Sequence, residues 1–119
     1  MESMEQEYKK KLAVSIDKLL ITIGNRGTIR VIQAYLNDID KVEGLINKNI
    51  DLNNIEELKH LGHRYKASSQ SVGAVFLANL FISLEKVDNL ENVIDLQPII
   101  KSELLVIKNK LNECLVFLQ

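Results

Sequence analysis

Along most of the 119 residues, apolar side chains recur every three or four positions and β-branched alternation is scarce, which predicts helices throughout. Residues 5–21 carry Leu12, Ile16, Leu19 and Leu20, a first amphipathic helix. The glycine-rich GNRGT (24–28) reads as a turn. From about 28 to 48 the series Ile29, Ile32, Leu36, Ile39, Val42 and Ile46 steps like the seam of a bundle. NKNIDLN (47–53) interrupts it, and Asn53 with Glu56 three places on resembles a capping box that opens a third helix. That helix runs to about residue 70 with Ile55, Leu58, Leu61 and Tyr65 inward. Gly73 marks a tight reversal, and a fourth helix covers roughly 74–87.

The segment 88–95 is polar enough to be a loop or a single turn. Asp95 and Pro98 then open the last helix, because proline is tolerated in a first turn. This helix should bury Ile99, Ile100, Leu104, Ile107, Leu111, Cys114, Leu115 and Leu118. The fold class that emerges is all-α: an antiparallel four-helix bundle over 24–119 with an additional N-terminal helix within 1–23, all in one domain. In the fourth helix Val75, Phe76 and Leu80 leave hardly any polar face, which predicts deep burial, an exposed docking patch being the other reading.

Composition narrows the function. The 15 basic and 16 acidic residues nearly cancel, so no cationic surface invites nucleic acid, and no basic amphipathic segment invites a membrane. The most apolar stretch, VGAVFLANLFISL (72–84), is too short to cross a bilayer. The first residues, MESMEQEYKKK, lack the apolar core of a secretory signal. A single cysteine, Cys114, cannot form an internal disulfide and reads as a small core residue. A cytoplasmic location is expected, for a free protein or a piece of a larger one.

One histidine stands apart. With Ile55 set at zero, the inward residues of the third helix cluster near roughly 300° at about 100° per residue, whereas His63 falls at about 80°. His63 therefore faces solvent. Lys66 lies one turn on, about 60° away, and Ala67 and Gln70 continue the same exposed side. A neutral imidazole is a competent nucleophile near pH 7, a neighbouring lysine can neutralise phosphoryl oxygens, and a small residue at 67 lets another protein approach. A plain surface histidine satisfies the same geometry.

The stretch HRYKASSQSVGAVFL (63–77), ending in Leu84-Glu85, resembles the histidine-containing phosphotransfer (HPt) domain of multistep two-component relays. The family's pattern is roughly His-x-x-Lys-Gly-Ser-Ser-x-x-apolar-Gly-Ala, followed by an apolar helix that closes on Leu-Glu. The resemblance implies that His63 is the phosphoacceptor, that Lys66 lies close to the phosphoryl oxygens, and that Glu85 orients the imidazole from the adjacent helix. Ser68 and Ser69 match its polar positions, with holding local geometry or touching phosphate both open. Gly73 matches the glycine at the helix junction, and Gln70 is a candidate binding or supporting residue on the exposed side of His63. Ala67 departs from the family's glycine and puts the rate of transfer or the choice of partner in question.

The partners implied are response-regulator receiver domains and an upstream hybrid sensor histidine kinase, met by a monomer that uses no cofactor of its own. Mg²⁺ is expected on the receiver. The chain would be a phosphohistidine carrier without an ATP site, not an enzyme. A non-phosphorylated helical adaptor for receivers is the alternative, and a bundle unrelated to signalling is a third. His60 and His63 share part of a face but find no third ligand nearby for a metal. GNRG lacks the Lys-Ser/Thr of a phosphate-binding loop.

Overall fold

A computed structural model describes residues 14–119. Among the described residues there are five helices: α1 (Asp17–Ile39), α2 (Val42–Asp51), α3 (Ile55–Ser71), α4 (Val75–Glu85) and α5 (Leu90–Leu118). They form an all-α bundle with four arms, in which α1 and α2 together make one long bent arm. This arm packs on both α3 and α5, and α4 closes the ring between α3 and α5. Short connections between arms enforce antiparallel neighbours.

Each junction has a local cause. At Asn53 (φ 50°) the chain enters the left-handed region. The amides of Asn54 and Asn53 donate back to the carbonyls of Asn49 (2.9 Å) and Ile50 (3.0 Å), a Schellman closure of α2. Asn53 is thus spent on ending α2, which runs on through Asp51, and the cap of α3 passes to the next residue. Asn54 Oδ1 accepts from the Glu57 amide at 3.1 Å, so the capping pair is one position later than the spacing of Asn53 and Glu56 predicts. The same closure recurs at Gly73 (φ 70°), where the amides of Gly73 and Ala74 donate to Gln70 and Ser69, each at 2.9 Å. A Cβ on Gly73 would lie 2.3 Å from the Ser15 carbonyl oxygen, because residues before α1 cross this turn and the Ser15 amide donates to Val72 O (3.3 Å).

Other expectations need correction. The part of the first predicted helix within residues 5–13, Leu12 included, lies outside the described residues. Residues 17–23 are helical but belong to α1, which bends at Gly24 and resumes at once, so the predicted GNRGT turn shrinks to one residue. Thr28 Oγ1 donates to the Gly24 carbonyl (2.7 Å), which satisfies a hydroxyl that is otherwise fully buried. The predicted 28–48 helix is interrupted at residues 40–41. Both keep near-helical backbone angles, and Ile39 and Val42 stay on one buried seam with Ile32 and Ile46. Ile29 is only half-buried.

α5 begins at Leu90, not near Asp95. Asn89 adopts an extended backbone and its Oδ1 accepts from the Asn92 amide at 2.9 Å, so the polar segment is a capped first turn and Val93 enters the core. Pro98 consequently sits inside the helix. Its missing N–H leaves the Ile94 carbonyl without a helical donor, on a side where Pro98 and Ile94 are both exposed to water. Ile99 is exposed rather than buried, whereas Ile100, Leu104, Ile107 and Leu111 line the core and Cys114, Leu115 and Leu118 pack at its edge. In α4, Leu77, Ala78, Leu80, Phe81 and Leu84 are buried, but Val75 and Phe76 are not (62% and 55% exposed). With neighbours on two sides only, α4 leaves its third side to solvent despite its composition.

Candidate functional site

α3 and α4 form a hairpin hinged on Gly73, and they share the most extensive contact of any helix pair among the described residues. Gly62 accounts for the closeness: a Cβ built there would stand 2.5 Å from both the Phe81 carbonyl oxygen and the Glu85 amide nitrogen. Backbone thus lies against backbone one residue before His63. Below that contact Tyr65 and Phe81 pack their rings with centroids 5.7 Å apart, both fully buried. The outer side is fixed to α1, where Arg64 Nη2 reaches Asp38 Oδ1 (3.4 Å) and the Tyr65 hydroxyl points at the Asp38 carbonyl (3.5 Å).

His63 projects from this platform with 66% of its side chain exposed. Its Nδ1 lies 2.7 Å from Glu85 Oε1, and Lys66 Nζ lies 2.7 Å from Glu85 Oε2. One carboxylate on α4 therefore receives both functional groups of α3, a different oxygen for each. The Lys66 bond first, and the His63 bond second, hold the Glu85 carboxyl below the usual carboxylate range. A carboxylate can only accept, so Nδ1 carries the proton in the neutral ring and Nε2 keeps its lone pair. The arrangement presents an exposed, fixed and nucleophilic ring nitrogen.

The other expected site residues distribute themselves around this pair. Ala67 and Gln70 are exposed and share a shallow groove of about 400 Å³ with Leu19, Thr22 and Ile23 of α1. Ser68 Oγ donates to the Tyr65 carbonyl (3.1 Å). Ser69 is fully buried, its hydroxyl 2.8 Å from that of Tyr35, which ties α3 to α1. Burial drives the Tyr35 phenol far above its ordinary pKa, so this hydroxyl stays protonated and available to the pair. Ser69 thus supports the helix from below, away from the imidazole, and Gly73 supplies the reversal. Lys66, expected near phosphoryl oxygens, is half-buried in its ion pair with Glu85.

On the opposite flank of His63, a depression of about 400 Å³ is lined by Glu56, Lys59, His60, His63 and Glu85. Lys59 is a second cation beside the ring, one turn before it. Spacing alone does not single it out, because it looks like any solvated charge on a helix. Gly62 goes unmarked for a different reason. Its signal, a glycine on the inward face of an amphipathic helix, reads equally as a filler among core residues. Among the described residues no group of three or more His, Cys, Asp or Glu is placed to hold a metal ion. Among the described residues no helix is long and apolar enough to cross a membrane.

Comparison with family models, with curated proteins and with solved structures yields no match to this chain.

Proposed function

We propose that this chain is a phosphohistidine carrier of the HPt kind, which takes a phosphoryl group from the aspartyl phosphate of one receiver domain and gives it to another. The observation that carries the reading is the single carboxylate of Glu85 holding His63 Nδ1 at 2.7 Å while the ring stands in solvent. In the forward step the Nε2 lone pair attacks phosphorus, the N–P bond forms and the P–O bond to the receiver aspartate breaks, returning a carboxylate. No proton has to leave. The ring becomes an imidazolium, with a proton on Nδ1 and phosphorus on Nε2, and Glu85 is already in place as its counter-ion.

Lys66 plays an indirect part while it is bound to Glu85: it holds the carboxylate in place beside the ring, and its flexible stem allows it to swing to a phosphoryl oxygen. Mg²⁺ chemistry belongs to the receiver in this reading. The upstream source would be a hybrid sensor kinase, and the second step reverses the first on a different aspartate.

Incubation with a phosphorylated receiver tests the reading. An acid-labile, alkali-stable label is expected on one histidine, lost in His63→Gln and retained in His60→Gln. Label that survives in His63→Gln removes the assignment. Lys66→Ala is expected to slow transfer about tenfold, in keeping with one charge-assisted hydrogen bond, without unfolding the bundle. The adaptor alternative draws on Ala67, whose methyl group stands exposed where the family pattern has glycine. Binding to receivers with no label from any of them is its signature.

A further inference from the structure

Glu85 can reach His63 only because α3 and α4 come unusually close, and the residue that admits this approach is Gly62. We infer that Gly62 is a positioning residue for the phosphoryl chemistry proposed above: its lack of a side chain sets the helix separation at which Glu85 fixes the His63 tautomer. The inference rests on that reading for its purpose, but its geometry stands independently.

All three atoms nearest a Cβ at Gly62 belong to the α4 backbone: Glu85 N and Phe81 O at 2.5 Å, and Glu85 Cα at 3.1 Å. No rotamer change can move them. Ordinary contact distances are about 3.5 Å, so a methyl group would force α4 back by roughly 1 Å. Two of the three atoms are those of Glu85 itself, so the displaced residue is the one that carries the carboxylate. A 2.7 Å bond lengthened by that amount passes the limit of a hydrogen bond. Lys66 has four methylenes with which to follow the carboxylate, and its ion pair survives. His63, on a short stem from the rigid helix, cannot follow. Freed from Glu85, the imidazole reverts to the Nε2–H tautomer that an unconstrained histidine side chain favours, and the nitrogen required as nucleophile is protonated.

Gly44 provides the contrast. It lies on α2, and a methyl group at that position would find no atom within 4 Å, so a side chain there meets nothing.

The test reads the tautomer directly, by ¹⁵N resonances of labelled histidine at a pH where the ring is neutral. Wild type and Gly44→Ala should show His63 with the proton on Nδ1. Gly62→Ala should show it on Nε2, with transfer from a phosphorylated receiver slowed at least about tenfold. Circular dichroism establishes folding, and trimethylamine N-oxide supports the variant if it is loose. Folded Gly62→Ala that keeps the Nδ1 proton overturns the inference. A second variant carries no packing risk: Glu85→Asp withdraws the carboxylate by about 1.5 Å, one carbon–carbon bond, with the helices undisturbed. It should switch the tautomer as well. Retention of the Nδ1 proton in Glu85→Asp means that the pair tolerates a larger retreat than Gly62→Ala imposes, and this too overturns the inference. A tautomer switch in Gly62→Ala, in a protein whose wild type never labels on His63, supports the positioning role and removes the phosphoryl reading instead.

Discussion

Glu85 is the residue on which the site turns, and its titration is the most direct probe of its two partners. Its carboxyl is held low, by Lys66 foremost and then by His63. A depressed folded-state pKa means stabilisation that is complete above the unfolded pKa and drains away as pH falls through the folded one. The Lys66–Glu85–His63 cluster should therefore weaken only on the acid side, below the ordinary glutamate range, and be indifferent to pH above it as far as Glu85 is concerned. Replacing Lys66 with methionine is expected to raise the Glu85 carboxyl toward its ordinary value. His63→Gln should raise it less, both followed by carboxyl-carbon chemical shifts. A larger rise in His63→Gln would reverse the ranking of the partners. The outward direction of His63 was legible from helical spacing alone, because a rigid helix fixes where each Cβ points. The Lys66–Glu85 bond was not, because the end of a long flexible side chain is placed by whichever carboxylate comes within reach.

Between residues and the whole lie the helices, where asparagines decided what spacing could not. Hydrophobic periodicity located α3 and α4 within a turn or so, but it set a turn where α1 only bends at Gly24, ran α1 and α2 together across residues 40–41, and started α5 too late. Two adjacent asparagines, Asn53 and Asn54, divide the labour of ending one helix and starting the next, and a spacing rule cannot tell which does which. At α5 the proline looks like a start signal, yet Asn89 caps the helix well upstream. That geometry bears on stability in two ways. Pro98→Ala restores a backbone donor to the Ile94 carbonyl and should stabilise the protein by about 1–3 kcal/mol in urea denaturation. Asn89→Ala removes the cap and should destabilise it by about 0.5–2 kcal/mol. If Pro98→Ala lowers the midpoint, the ring of Pro98 contributes more to the groove it lines with Leu104 and Leu105 than the missing bond costs.

At the scale of the molecule, the bundle is expected to be firmest where the site is built. The α3–α4 hairpin combines a close backbone approach at Gly62 with a buried Tyr65–Phe81 pair and the Tyr35–Ser69 bond, and among the described residues no buried side-chain polar atom lacks a partner. Residues 17–23 of α1, before the bend at Gly24, are exposed or half-buried throughout. Native-state hydrogen exchange should accordingly find the slowest amides in α3 and α4 around Leu61, Tyr65 and Phe81, and fast ones in 17–23. Equal protection in both would mean that the first segment is held by more than these contacts. Tyr35→Phe should lower global stability by about 1–2 kcal/mol, since Ser69 is left buried without its partner.

The crossing of residues 14–16 over the α3–α4 turn offers a ruler. Ser15 is exposed, yet its backbone rests on Gly73, and ten residues, all but the last two helical and spanning roughly 15 Å, separate that glycine from His63. A nitroxide attached at position 15 would broaden the imidazole resonances of His63 through space. A visiting protein that pried the crossing segment loose would announce itself as a sharpening of those lines.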